Sequence, residues 1–450
     1  MSFLQFAVWG AYLTSMGNYL GSVGLGPKIG LFYAMQGIVS IFMPAIMGIV
    51  ADRWIEAQRL LGINHLLAAI FMIATGYYGY VAGADVSFSI IFTLYSLSVA
   101  FFMPTIALSN STAYSLLQRE GLDTIKYFPP IRTFGTVGFI FSMLFVDFVG
   151  FENGVINTAF TKGSIDTFVS FQNTYHQFFV SAVLGIFLFF YSFSLPSCTI
   201  KKSKEKKSMY DALGLKAFSL FKNKRMAIFF VFSMLLGVSL QITNGYANPF
   251  ITSFKKVPEY ANSFGANHAN ALISISQISE TFCILLIPFF LRRFGIKKVM
   301  LMSMFAWVLR FGLFGLGDPG NGVWMFILSM LVYGIAFDFF NVSGSLFVDN
   351  ETDEDIRSSA QGVFMMMTNG FGATIGMLGA QYVVNHFVYS KTDVMEQMEG
   401  WYSSWIAFAI YSLIVTIIQN LNSVYRRKSF LNNCFNTISF VYILEIKGEF

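Results

Sequence analysis

Charge is what this chain has least of. Asp, Glu, Lys and Arg make up 12% of its 450 residues, against roughly 25% in soluble globular domains, which excludes a water-soluble protein with an ordinary surface. Cysteine is scarcer still. Cys198, Cys283 and Cys434 show no CxxC spacing, so neither a disulfide framework nor a thiolate metal site is implied. The four histidines are scattered without a ligand pattern; no metal and no cofactor is expected. A cleavable signal peptide is not evident, because the first apolar block begins almost at once. The net charge of +5 does not point to nucleic acid, since the cations fall between apolar blocks.

Apolar residues supply 55% of the chain, in repeated blocks. About 20 helical residues cross a hydrocarbon core of ~30 Å, and the blocks reach that length. The sequence therefore predicts an all-α, polytopic integral membrane protein of about twelve spans, near 3–22, 27–50, 60–82, 86–109, 130–150, 175–196, 226–250, 268–291, 298–317, 322–347, 359–385 and 401–424. The connection from Lys201 to Arg225 holds nine Lys/Arg and divides the spans six and six. The implied organisation is an N-terminal half over 1–200, a linker over 201–225, a C-terminal half over 226–425 and a tail over 426–450. Asp52-Arg53 after span two and Arg292-Arg293-Phe294-Gly295 after span eight occupy corresponding places, a faint internal repeat. Paired six-helix halves with a site between them are an expected transporter architecture.

Orientation follows from the cations. Connections after even-numbered spans, with the C-terminal tail, hold 22 of the 29 Lys/Arg residues. Those after odd-numbered spans hold only Lys28, Lys162, Lys255, Lys256 and Lys391. The positive-inside rule then puts both termini in the cytoplasm. Arg132 and Arg310 fall inside or at the mouths of spans.

Two acids lie in apolar runs, Glu280 between Ala269 and Leu291, and Asp338 between Trp324 and Phe347. An ionisable group at the bilayer centre costs ~2.5–3.5 kcal/mol on insertion scales, so such a residue faces a bundle interior or an aqueous cavity. Polar and aromatic residues accompany the acids at helical spacing. Arg132, Thr136 and Phe139 share a face of span five, whose helix Pro129-Pro130 would open. Gln241 and Asn244 are paired in span seven, and Gln277 and Glu280 in span eight. Tyr333 and Phe337 stand beside Asp338 in span ten, with Asn341 three further on. Carboxylates suit sugar hydroxyls, amides suit the donors and acceptors of a base edge, and aromatic faces stack on a flat heterocycle.

Plainer roles exist for several of these. Amides and hydroxyls also join membrane helices, so Gln241, Asn244 and Thr136 are open to both readings. Phe139 and Phe337 belong to a chain with 53 phenylalanines and would serve equally as packing. Arg310 is expected to pair with an acid or a backbone carbonyl for structure. Asp52-Arg53 and Arg292-Arg293 read as orientation and gating charges. Gly372, Gly376 and Ala380 form a ridge of small residues for close helix packing.

Several stretches carry a resemblance. They are FMPAIMGIVADRW (42–54), FPPIRTFGTVGF (128–139), FKNKRMAIFFVFSMLLG with LQITN (221–244), SISQISET (274–281), YGIAFDFFNVSGSLFV (333–348) and SSAQGVFMMMTNGFG (358–372). Across about Phe3 to Tyr425 the chain resembles the nucleoside:proton symporter family of the major facilitator superfamily. The tail after Tyr425 does not; its Ile438–Ile446 stretch is too short to span and is given no role in transport.

The resemblance implies proton-driven uptake of purine and pyrimidine nucleosides, such as uridine and adenosine, across the bacterial inner membrane. It further implies a functional monomer in membrane lipid, working by alternating access. Substrate-binding positions carry over to Arg132, Thr136, Phe139, Gln241, Asn244, Gln277, Glu280, Tyr333, Phe337 and Asp338, with Asp338, or else Glu280, as the proton-coupling acid. A proton-coupled sugar or oligosaccharide symporter of the same fold, or a nutrient sensor that no longer transports, are the alternatives. An integral membrane enzyme is not expected, because the acids lie mid-span and the histidines do not cluster near a membrane surface.

Overall fold

The computed structural model describes residues 1–160, 168–198 and 215–446. Most of the expected linker, 201–214, and the last four positions of the tail lie outside the described residues. Among the described residues, ten helices are long and apolar enough to cross a membrane. Two details of the chain raise this to the twelve spans expected. The first span is built from two short helices, Ser2–Gly10 and Met16–Ser22, together α1. Turn bonds such as Leu13 N to Trp9 O at 2.9 Å and Met16 N to Tyr12 O at 2.8 Å carry the chain between them. The helix Ala269–Leu316 is two spans, α8 (269–294) and α9 (296–316), joined at Gly295, whose φ of 73° breaks the helical run. A side chain there would be strained, and glycine is not.

The remaining spans are α2 (Ile29–Arg53), α3 (Ala57–Ala82), α4 (Phe88–Arg119), α5 (Thr124–Phe148), α6 (His176–Ser194), α7 (Lys224–Ser253) and α10 (Val323–Glu351). The eleventh, α11, runs through Glu354–Met365, a π-turn at Met366–Gly372, Ala373–Val384 and a second π-turn at Asn385–Tyr389. The last, α12, is Val394–Ile446. The neighbour pattern repeats with a shift of six. α1 packs on α5 and α6, α2 on α4, and α3 on α4 and α6; α7 packs on α11 and α12, while the α8–α9 arm packs on α10 and α12. The seams between halves, α2 with α11 and α5 with α8, exchange under the same shift. This is the twelve-helix, two-half architecture of the major facilitator fold.

Three local expectations differ from the structure. Pro129 and Pro130 do not open α5 but lie inside it, the helix having begun at Thr124. Several helices overrun their apolar blocks; α4 continues to Arg119 because helix formation needs no further hydrocarbon once the span has nucleated it. The connection after α5 forms a small sheet of order β2-β1-β3, from β1 (Val149–Glu152), β2 (Val155–Thr158) and β3 (Phe168–Ser170). Its hairpin turns at Asn153 and Gly154, with φ of 51° and 81°, the pairing that two-residue hairpins favour.

Hydrogen bonds between the halves cluster at one end of the bundle. At the α2–α11 seam, Leu31 N donates to Gln381 Oε1 at 3.0 Å and Asn385 Nδ2 to Pro27 O at 3.0 Å. Between α1 and α7, Asn18 Nδ2 donates to Asn248 Oδ1 at 2.6 Å and to Thr252 Oγ1 at 2.9 Å. At the α5–α8 seam, Ala271 N donates to Asp147 Oδ2 at 2.9 Å. This closed end is the one that carries the sheet. The small-residue ridge packs α11 on α7: a Cβ added to Gly376 would meet Val238 O at 2.2 Å, whereas one added to Gly379 meets nothing within 4 Å. Gly376→Val should therefore destabilise the protein by ~1–3 kcal/mol, the usual cost of overpacking, with Gly379→Val close to neutral. Thermal denaturation of the detergent-solubilised variants checks this, and equal melting shifts would contradict the packing described.

Candidate functional site

The expected site residues come from four helices, α5, α7, α8 and α10. Both acids are buried, Glu280 with 8% of its surface exposed and Asp338 with 5%. The charges of Glu280 and Asp338 act on each other and on the Arg132 guanidinium, and Tyr333 stands in the field of all three. Among the described residues Arg132 makes no direct ion pair with either acid. Its guanidinium carbon instead sits 4.1 Å from the centre of the Phe6 ring, a cation–π contact. Among the described residues, Asp338 Oδ2 and Asn341 Oδ1, one helical turn apart, are buried without a hydrogen-bond partner. Asp338 is the only carboxylate among the described residues with a buried oxygen left so, and Asn341 and Ser343 share its stretch of α10.

The aromatic residues divide. Tyr333 and Phe337 stack, with centroids 5.5 Å apart and planes 13° from parallel, and Phe337 is only half-buried. Phe139 is buried and meets Trp9 edge-on at 6.3 Å, so it stands in the core of the N-terminal half. Thr136 is buried beside it on α5. Asn244 Nδ2 donates to Gln241 Oε1 at 2.7 Å, so one donor and one acceptor of this amide pair satisfy each other. Gln277 is half-buried, and its backbone carbonyl accepts from Thr281 Oγ1 at 3.3 Å. The structure thus gathers Arg132, Glu280, Tyr333, Phe337 and Asp338, joins Gln241 to Asn244, and packs Phe139 against Trp9.

Arg310 behaves as the sequence suggests. It is 2% exposed, and its Nη1 donates to Ser329 O at 2.8 Å. Its guanidinium carbon lies 4.5 Å from the Tyr333 ring centre. Trp307 meets the same ring edge-on at 6.1 Å. Together they fix the plane of Tyr333, and through it that of Phe337.

A buried, polar-lined junction between two six-helix halves, with unpaired carboxylate oxygen in it, defines a membrane transporter of major facilitator type. The family model for "Nucleoside H+ symporter" matches residues 1–428, and the chain belongs to that family. It is 43% identical over 421 residues to the xanthosine permease of Escherichia coli (strain K12), covering 93% of each chain. It is also 43% identical over 419 residues to the nucleoside permease NupG of the same organism, covering 92% of each. The crystal structure of nucleoside transporter NupG superposes with a TM-score of 0.80 at 42% identity, over 93% of this chain and 96% of that one. A D-xylose-proton symporter superposes with a TM-score of 0.63 at 14% identity, over 93% of this chain and 94% of the other; that likeness shows the fold alone and lends nothing to the sugar alternative. The protein is a multi-pass membrane transporter, not an enzyme.

Sequence reasoning passed over two groups. Phe6, which holds Arg132, has no polar character to mark it and is found only through packing. A polar network at the closed end was legible in principle, because Asp147 is a third acid within an expected span. Its place near the span's end, where burial of a charge is cheaper than at the centre, hid it. Replacing Arg310 with Gln should leave Ser329 O short of its charged donor. The expected loss is ~1.5–3 kcal/mol of stability, the range for hydrogen bonds to charged groups. A melting curve indistinguishable from the parent would remove Arg310 from this supporting role.

Proposed function

We propose that this chain takes up nucleosides together with protons across the bacterial inner membrane by alternating access. Purine and pyrimidine nucleosides such as uridine and adenosine are its substrates, and a monomer surrounded by membrane lipid is the working unit. The observation that carries the reading is the buried, unpartnered Asp338 oxygen, within electrostatic reach of Glu280 and Arg132 and beside an aromatic stack. The ends of helices bearing Arg53, Arg119, Lys126, Arg225, Arg292, Arg293 and Arg357 face the cytoplasm by the positive-inside rule, with both termini on that side. The closed end is then periplasmic, and the arrangement corresponds to the inward-facing member of an alternating pair.

Each residue has a role in this reading. The nucleobase stacks on Phe337, braced by Tyr333; base–aromatic stacking is worth ~1–3 kcal/mol in single-strand binding proteins, by analogy. Phe139 and Thr136 shape the α5 wall, and Phe139 offers a second face if Trp9 yields. Gln241, Asn244 and Gln277 exchange their own hydrogen bonds for those of the base edge. Glu280 accepts from ribose hydroxyls. Asp338 carries the proton, and Arg132 leaves Phe6 to pair with whichever acid is ionised, so that occupancy and conformation are linked.

Gradient-driven uptake of labelled uridine in proteoliposomes, beside nucleoside affinity at several pH values, tests these roles. Asp338→Asn should keep affinity within a few-fold while losing accumulation. Glu280→Gln should weaken affinity by ~1.5–3 kcal/mol, through loss of a charge-assisted acceptor, with coupling partly kept. Accumulation by Asp338→Asn together with mere equilibration by Glu280→Gln would reverse the two assignments. Uptake that follows sodium and survives a protonophore would sink proton symport. Displacement of uridine by free sugars would favour the sugar reading, and binding without any flux would favour a sensor.

A further inference from the structure

The closed end holds a second ionisable pair that the transport reading does not use. Asp147, at the end of α5, is fully buried. Its Oδ1 lies 3.1 Å from His268 Nδ1, and its Oδ2 accepts from Ala271 N at 2.9 Å. Gln172 Nε2 also donates to Oδ1, at 2.5 Å. His268 and Ala271 stand at the N-terminal end of α8 in the other half, where the helix's free N–H groups favour an anion. The imidazole is pressed against Phe148, with centroids 4.8 Å apart, and Phe264, at 5.1 Å. Asp147 and His268 thus clamp α5 to α8 across 121 residues of chain.

The neighbours of the clamp are mostly neutral. Asn270 Oδ1 accepts from Asn248 Nδ2 at 2.6 Å and from Thr14 Oγ1 at 2.8 Å, and Asn248 Nδ2 also donates to Gln172 Oε1 at 3.3 Å. Among the described residues the other charge that acts on Asp147 is Lys255, in the turn just after α7, which is only half-buried and so is screened by water. His176 meets Phe151 and Phe171 rather than the pair.

We infer that Asp147 and His268 form a proton-binding latch on the closed end, separate from the cavity acids, and that closing this end takes up one proton. The reasoning is electrostatic. A carboxylate buried beside a neutral imidazole is a net charge in a low dielectric, which is costly; with one proton shared between them the buried pair is neutral overall. Opening this end pulls α5 from α8 and returns both groups to water, where a carboxyl titrates near ~3.9 and an imidazole near ~6.5. Above that range the opened pair holds no shared proton. Acid on this side therefore favours closure. In a proton symporter the latch would make the gate shut behind a loaded site more readily when the outer compartment is acidic. The inference rests on the alternating-access reading above.

The test uses full-length protein with its three cysteines replaced by Ser, and spin labels on Val155→Cys and Asn262→Cys. Both positions are exposed, the first on the sheet beside α5 and the second in the connection ahead of α8. Pulsed distance measurements between pH 6.5 and 8.5 should show a short and a long population. One linked proton requires their long-to-short ratio to rise with pH, the slope approaching about tenfold per pH unit once the opened imidazole is fully neutral. The slope should persist in the Asp338→Asn, Glu280→Gln background and vanish in Asp147→Asn and in His268→Gln, the latter keeping a donor for the carboxylate. Should either latch variant fail to fold, the other and the pH series of the parent still decide. Two populations with a pH-independent ratio, or a slope that survives the latch substitutions, would overturn the latch alone. A single population under all conditions, nucleoside included, would overturn alternating access and the latch with it. In sealed vesicles, acid on the periplasmic side alone should shift the ratio; a response to acid on the other side alone would overturn the assigned orientation while leaving the latch in place.

Discussion

Burying charge in a low-dielectric medium is the constraint on which this structure turns. Hydrocarbon neither hydrates an ion nor supplies hydrogen bonds to a stray polar group. The acids and the arginines of the spans therefore lie at the junction between halves or against polar and aromatic partners. Arg310 takes the second course: its Nη1 donates to a backbone carbonyl and a serine and an aromatic face covers it, while its Nε is buried without a hydrogen-bond partner among the described residues. Glu280, Asp338 and Arg132 take the first, and Asp338 keeps an oxygen without a partner. Depth in the bundle does not separate scaffold from site, since Arg310 is at least as buried as either acid; what differs is that the Arg310 guanidinium donates to two oxygens, whereas Asp338 Oδ2 has no partner among the described residues.

The same constraint distributes labour between the two seams. The α2–α11 seam is lined by glycine and neutral amides: Gly30 lies against Met377 O and Gln381, and Gly37 against Thr374 and Gly370 O. The α5–α8 seam carries the charges. Asp147 meets His268 and Ala271 at its closed end, while Arg132 and Glu280 lie toward the other end, within one another's field. On α8, nine residues separate Ala271 from Glu280, about 14 Å at 1.5 Å per helical residue. A tilt of this one helix therefore moves the partner of Asp147 and the Glu280 carboxyl in the field of Arg132 together.

How much of this the sequence disclosed follows from the range of each interaction. Spans and their pairing into halves were legible, because hydropathy and helical period are local and the Lys/Arg pattern is cumulative. Two-span helices such as Ala269–Leu316 were separable because Arg292-Arg293 and Gly295 mark the bend locally. The grouping of Glu280 with Asp338 was reachable, each being conspicuous in its own run. Which aromatic faces stay available was not. Phe139 and Phe337 are alike in sequence, and only the approach of Trp9 to one and Tyr333 to the other distinguishes them. The Asn153-Gly154 hairpin was locally legible too, but it lay in a connection that hydropathy treats as blank. Contacts between halves, such as Asn18 to Asn248, leave no local trace.

A transporter has to break its inter-half contacts on every cycle, so those contacts cannot be strongly net stabilising. Glycine seams meet this requirement through close backbone approach with few hydrogen bonds to replace, and the energy recovered on separation changes little with solution conditions. A charged seam differs in kind. Its closed form is favourable only when the buried charges sum to neutrality, and a single proton decides whether they do. The α2–α11 seam, insensitive to protons, is suited to act as the pivot. The α5–α8 seam, with a titratable pair at one end and Arg132 facing Glu280 toward the other, is where a proton gradient has purchase on the motion.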